Sequence, residues 1–268
     1  MPTPRFLASL AICLAAQIHS AFAHDTWLQT NTPVVRCAEA VHIDLMLGNH
    51  GNEHRDFLLA SKIGLEKATL SVIDPAGKVY DLKDRLSDTG YTPKEGFWTA
   101  RFNPVEPGLY RAVHTLDQIV NHGKPTRAIK SAKTCFVASK LLDKVPEDNP
   151  GFDKPLGHPL EIVPEANPVT PSGPEVPIRI QVLLHGKPFE NARVAFIPRG
   201  TKLQTDFDPN YERMTNAHGR CSFIPKEGNY YLVVVHHKSD EAGAGYDATA
   251  YSATLTVLVP DICPCCGE

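Results

Sequence analysis

No segment of this 268-residue chain holds a helical repeat for more than about three turns. Short strand-like runs recur instead, with turn signals between them, and those at 41–47 and 68–73 alternate apolar and polar residues. In the first half they fall at 41–47 (VHIDLML), 68–73 (ATLSVI), 97–102 (FWTARF), 109–114 (LYRAVH) and 129–138. In the second half they fall at 176–184, 192–197, 221–224, 230–237 and 252–259. Turn residues stand between them: Asp74-Pro75-Ala76-Gly77, Pro107-Gly108, His185-Gly186-Lys187-Pro188 and Pro225-Lys226-Glu227-Gly228-Asn229. Strand runs at this spacing predict an all-β chain built of sandwiches.

Proline placement divides the chain. Nine of its 23 prolines lie between Pro146 and Pro177, where a fixed φ and a missing N–H exclude helix and central strand. The expectation is two tandem immunoglobulin-like β-sandwich domains, 24–145 and 156–262. A Pro-rich linker at 146–155 joins them, and a Cys-rich tail follows at 263–268. Lys and Arg number 27 against 30 Asp and Glu, so the chain lacks the basic excess that a phosphate-binding track needs, and nucleic acid is not expected as a partner.

Residues 1–23 read as a cleaved signal peptide. Arg5 supplies the positive start, FLASLAICLAA the apolar stretch, and Ala21-Phe22-Ala23 the small-x-small cleavage site. Cys13 as a lipid-modified residue is set aside, because bulky Ile12 precedes it. The apolar stretch is too short to span a bilayer, and no other segment resembles a span. The mature protein is therefore expected in the periplasm or secreted, beginning at His24.

That junction makes His24 the sharpest feature. A terminal histidine offers an α-amine of low pKa and a ring nitrogen from one residue, and the two can chelate a divalent ion. A second imidazole completes a nitrogen set that suits copper, nickel or cobalt. If His24 opens the first strand and 41–47 returns antiparallel, the hairpin turns near Arg36 and residue 24 faces residues 48–50. His50 stands there, and His54 follows at a spacing of four. His236 and His237 end an apolar strand, so they point to opposite faces and at most one serves a given site. The candidate metal ligands are His24, His50, His54, His236 and His237. The plain alternative is that His-x-x-x-His arises by chance in a chain with 12 histidines. His114, on a strand, reads as a packed or edge residue.

Cysteines read as scaffolding. A Cys37–Cys135 disulfide would close most of the first domain and stabilise it by about 3–5 kcal/mol. Cys221 stands alone, and Cys263, Cys265 and Cys266 offer either a disulfide partner for it or a soft-metal site, the disulfide ranking higher. No nucleophile elbow, P-loop, dinucleotide fingerprint or HExxH occurs, so nothing marks an enzyme.

The start His24-Asp25-Thr26-Trp27-Leu28, the segment 129–134 (IKSAKT), Gly186-Lys187-Pro188 and the runs 194–200, 229–237 and 251–257 resemble a known family. It is the periplasmic cobalt/nickel-uptake accessory family, whose domain is formally of unknown function. The resemblance covers nearly all of the mature chain, and His24 and Trp27 match the family's His-x-x-Trp start. It implies immunoglobulin-like domains and extracytoplasmic transition-metal binding, with a membrane transporter component as a possible partner. The Cys tail departs from the family pattern. The expected function is uptake or buffering of nickel, cobalt or copper. Two other readings stand beside it: a non-catalytic adhesion or carbohydrate-binding module of the cell envelope, and a copper-dependent oxidative enzyme built on an N-terminal histidine brace.

Overall fold

The computed structural model describes residues 24–48, 64–90, 96–121, 123–146, 148–204 and 206–261. Residues 1–23, read above as a signal peptide, His50, His54 and the cysteines at 263, 265 and 266 lie outside the described residues. The strands are β1 (Asp25–Thr30), β2 (Val34–Arg36), β3 (Val41–Gly48), β4 (Ala68–Ile73), β5 (Val79–Asp81), β6 (Ser87–Asp88), β7 (Trp98–Phe102), β8 (Gly108–Asn121) and β9 (Pro125–Ser139). The second half adds β10 (Leu160–Pro164), β11 (Ile178–Leu184), β12 (Lys187–Pro188), β13 (Arg193–Pro198), β14 (Glu212–Met214), β15 (Arg220–Phe223), β16 (Asn229–Ser239) and β17 (Ala248–Val259).

The chain is all-β. One sheet of nine strands runs through both halves in the order β14-β13-β16-β17-β9-β8-β4-β5, with β2 also on β9. The halves meet where β17 lies parallel to β9, from Ala248 opposite Thr126 to Thr256 opposite Thr134. Two smaller sheets cover opposite faces of this large one. The sheet β1-β3-β7-β6 packs Leu28, Ile43, Leu45 and Phe102 against Leu70, Tyr110, Ala112 and Phe136. The sheet of β10, β11, β12 and β15 packs Ile162, Ile180, Val182 and Phe223 against Phe196, Val233, Val235 and Leu255. Residues at odd positions of β17 face this second core. Its even positions face the other way, toward β1.

That double cover explains the composition of the central strands. β17 is buried along nearly its whole length, as the burial of Tyr251, Ala253, Leu255 and Val257 on one face and Ala248, Ser252, Thr254 and Thr256 on the other shows. A strand with both faces covered reads as a near-continuous run of apolar and small residues rather than as an alternation.

β1 is an edge strand of its sheet but is not an open edge. The bond from Asn31 N–H to the His42 carbonyl sets the ladder, so odd residues of β1 pair with β3 and even residues turn their carbonyls outward. Side chains of the large sheet meet those carbonyls. Lys130 Nζ donates to His24, Thr254 Oγ1 to Thr26 at 2.9 Å and Tyr230 OH to Thr30 at 3.0 Å. An exposed ladder edge is an aggregation hazard, and these three donors close it.

Two expectations are corrected. The segment between β1 and β3 is not a simple hairpin turn: β2 leaves the first sheet and pairs parallel to β9, with Val34 opposite Val137 and Arg36 opposite Ser139. The Cys37–Cys135 disulfide is absent, and both thiols are free. The β2 register is the reason. Cys37 N–H bonds the Ser139 carbonyl, four residues along β9 from Cys135, or about 13 Å of strand. The side chains also lie on opposite faces of the large sheet, Cys37 against the first core and Cys135 with Leu109 and Val137. A bridge needs Cα atoms within about 7 Å. Burial pushes the Cys135 thiol up to about 11, so it is an inert packing residue.

Candidate functional site: a polar cluster beneath the first strand

Strand register assembles the site. Across one face of the large sheet His236, Ser252, Lys130 and Leu116 lie side by side on β16, β17, β9 and β8. The next row on that face is Val234, Thr254, Ala132, His114 and Leu70. β1 passes over both rows. Its odd residues Asp25 and Trp27 turn toward β16, where Trp27 packs on Met46, Leu232 and Val234. Its even residues follow Leu28 toward the first core.

Asp25 is the hub. Its Oδ1 accepts from His236 Nε2 at 2.9 Å and from Ser252 Oγ at 2.7 Å. Lys130 completes the group by binding the carbonyl of His24. Burial alone would raise the Asp25 carboxyl, but the His236 and Lys130 charges outweigh it and hold the group below the usual carboxylate range. Burial works against a charged His236, yet Asp25 prevails and holds that imidazole above its ordinary value. For Lys130 burial wins over Asp25, and its ammonium is shifted down.

The opposite signs set a pH window. Raised His236 contributes stability that is full below about pH 6.5 and is lost as pH rises through its folded value. Lowered Asp25 contributes stability present above about pH 4 and lost as pH falls through its folded value. The pair therefore stabilises the fold most between those limits. A charge-assisted bond of this kind is worth on the order of 1–2 kcal/mol. The stability advantage of the native chain over a His236→Gln variant should shrink by about that much between about pH 5.5 and pH 8.5, as measured by urea unfolding. An advantage constant across that range would contradict the pairing.

The five candidate ligands separate as follows. His24 and His236 both border the Asp25 cluster. His237 lies on the far face, with its ring 5.0 Å from Phe189 and 6.0 Å from Tyr251. His50 and His54 fall outside the described residues. Among the described residues no three His, Cys, Asp or Glu side chains are grouped to hold a metal ion. Asp25, Lys130 and Ser252 escaped the sequence reading. Lys130 carried a signal: a lysine inside the small and apolar stretch AIKSAKTCFVA, in a strand covered on both faces.

Fold and cluster define an all-β protein in which a buried polar group ties the first described strand to the last two. The chain belongs to the family described as Domain of unknown function (DUF4198), which matches residues 21–239. It is similar in structure to the D0-D1 domain of intimin, at 11% identity and a TM-score of 0.23 over 87% of this chain and 97% of that one. A DUF4785 family protein from Legionella pneumophila matches at 9% identity and a TM-score of 0.28, over 78% of this chain and 51% of that one. Salmonella alpha-2-macroglobulin reacted with methylamine matches at 12% identity and 0.28, over 90% of this chain and 15% of that one. Likenesses this distant carry no argument about function. No curated protein matches the chain. Among the described residues no helix is long and apolar enough to cross a membrane.

Proposed function

We propose that this chain is an extracytoplasmic transition-metal-binding protein that supports uptake or buffering of nickel, cobalt or copper, with His24 as its central ligand. The observation that carries the reading is the register of β1 on β3. Asp25 lies opposite Gly48, so His24 stands at the end of the first sheet where β3 finishes. His50 follows Gly48 by two positions in the sequence. His54 is the further candidate donor from the same segment.

Cleavage after Ala23 frees an α-amine whose ordinary pKa of about 7.7–8.0 allows it to ligate near neutral pH. Amine and ring of His24 then form one chelate, and an imidazole from the segment after β3 extends it. Such nitrogen sets favour copper over nickel and nickel over cobalt in intrinsic affinity, so supply decides occupancy. Asp25, itself accepting from Ser252, holds His236 at the border of the site, while Lys130 fixes the His24 carbonyl and with it the direction in which the terminus leaves β1. His237, on the far face, takes no part.

The test compares the mature chain beginning at His24 with one carrying a single extra residue before it. The extra residue turns the amine into an amide and should weaken nickel or copper binding about 100-fold, on the scale of losing one chelating donor. Equal affinities by competition titration would overturn the role of His24.

A further inference from the structure

His114 is a buried titratable group that nothing above employs. It is fully buried on β8. Its Nδ1–H donates to the Thr69 carbonyl at 2.7 Å, which fixes the tautomer and leaves the Nε2 lone pair pointing away from that bond. No described residue hydrogen-bonds Nε2. Burial of an acceptor without a partner is costly, so native proteins rarely keep one unless something else fills the role.

The position of this lone pair is specific. His114 shares its row with Thr254, and only the small Ala132 separates them. Thr254 holds the Thr26 carbonyl from below, so β1 crosses this row at Thr26. Thr26 Oγ1 is a second buried polar atom without a hydrogen-bond partner among the described residues. Thr26 and His24 both lie on the side of β1 that turns toward β8, and Lys130, one row from His114, binds the His24 carbonyl. A backbone carbonyl on Nδ1–H with Nε2 open is the arrangement that orients a metal-binding histidine.

We infer that His114 is a ligand of the transition-metal site at His24, presenting Nε2 to the ion from the floor of the large sheet beneath β1. The inference rests on the metal-binding reading above and adds a donor from the rigid scaffold to it. A site built only on a chain terminus would be loose, and a strand-borne imidazole gives it fixed geometry.

His114→Asn is the informative variant, because its amide can keep the bond to Thr69 while nothing occupies the Nε2 position. In the mature protein it should weaken copper(II) affinity about 10–100-fold and remove one imidazole nitrogen from the electron paramagnetic resonance hyperfine pattern. Unchanged affinity and pattern in this variant, with binding still abolished by an extra residue before His24, would overturn the role of His114 alone. A native mature chain that binds no metal overturns both readings. If the variant fails to fold, histidine-labelled native protein decides the matter by nitrogen NMR. One equivalent of zinc, as a diamagnetic probe, should shift the His114 Nε2 resonance strongly, and an unshifted resonance alongside a shifted His24 ring would sink the inference.

Discussion

Replacing Glu161 with alanine should cost about 3–5 kcal/mol, because it leaves a buried lysine without its counter-charge. Lys133 is 5% exposed and Glu161 1%, with Nζ and Oε1 2.5 Å apart. The same carboxylate accepts the backbone N–H groups of Leu156, Gly157 and His158 at 2.7, 2.9 and 3.2 Å. It therefore ties β10 and the residues before it to β9, at the junction of the two halves. Burial opposes its ionisation, but Lys133 and these donors outweigh burial and hold the carboxyl below its ordinary value. Its contribution is thus present above about pH 4.5 and is lost as pH falls through the folded value. The unfolding midpoint of Glu161→Ala should drop by roughly 10 °C near neutral pH, and the gap to the native chain should close in acid. The double variant Lys133→Met/Glu161→Gln should lose less than Glu161→Ala, since no charge is stranded. A cost under about 1 kcal/mol for Glu161→Ala would contradict this account of the junction.

Trp27→Ala should cost about 3–5 kcal/mol, the range for deleting a fully buried large aromatic. Trp27 has no exposed surface and fills the contact between the first sheet and the strands of the second half, against Met46, Leu232 and Val234. Removing it opens a cavity on the odd face of β1, beside the Asp25–His236 bond. Global stability should fall, and hydrogen exchange should accelerate most in β1, ahead of β10 and β11, which pack on the other face of the large sheet. Trp27→Phe, which keeps most of the apolar volume, should cost about half as much or less. Uniform exchange across the molecule in the alanine variant would show that Trp27 does not hold β1 in place.

Local order was legible in the residues. Alternation over 41–47 and 68–73 marked β3 and β4, the apolar run at 230–237 marked β16, and the antiparallel return of 41–47 on the first strand agrees with Asp25 opposite Gly48. Long-range order was not. Nothing in 125–139 or 248–259 encodes that these strands lie parallel, because strands buried on both faces lose the alternation that specifies register. The same blindness misplaced the disulfide. Loop length favoured Cys37 with Cys135, while the β2 register, set by contacts far along the chain, put them on opposite faces. Lys130 and Lys133 were readable as anomalies, and their odd spacing already sends them to opposite faces. Their partners, the His24 carbonyl beside Asp25 on one side and Glu161 on the other, were visible only in the folded chain. His114 shows the same limit: a strand histidine and a ligand look alike until the tautomer and the empty side of the ring are known.

The most direct test of the central claim is elemental analysis of the mature protein isolated from its native compartment without chelators. The account predicts about one equivalent of nickel, cobalt or copper per chain, lost on chelation and restored on titration. A protein that emerges free of these metals and takes up none on titration would contradict it.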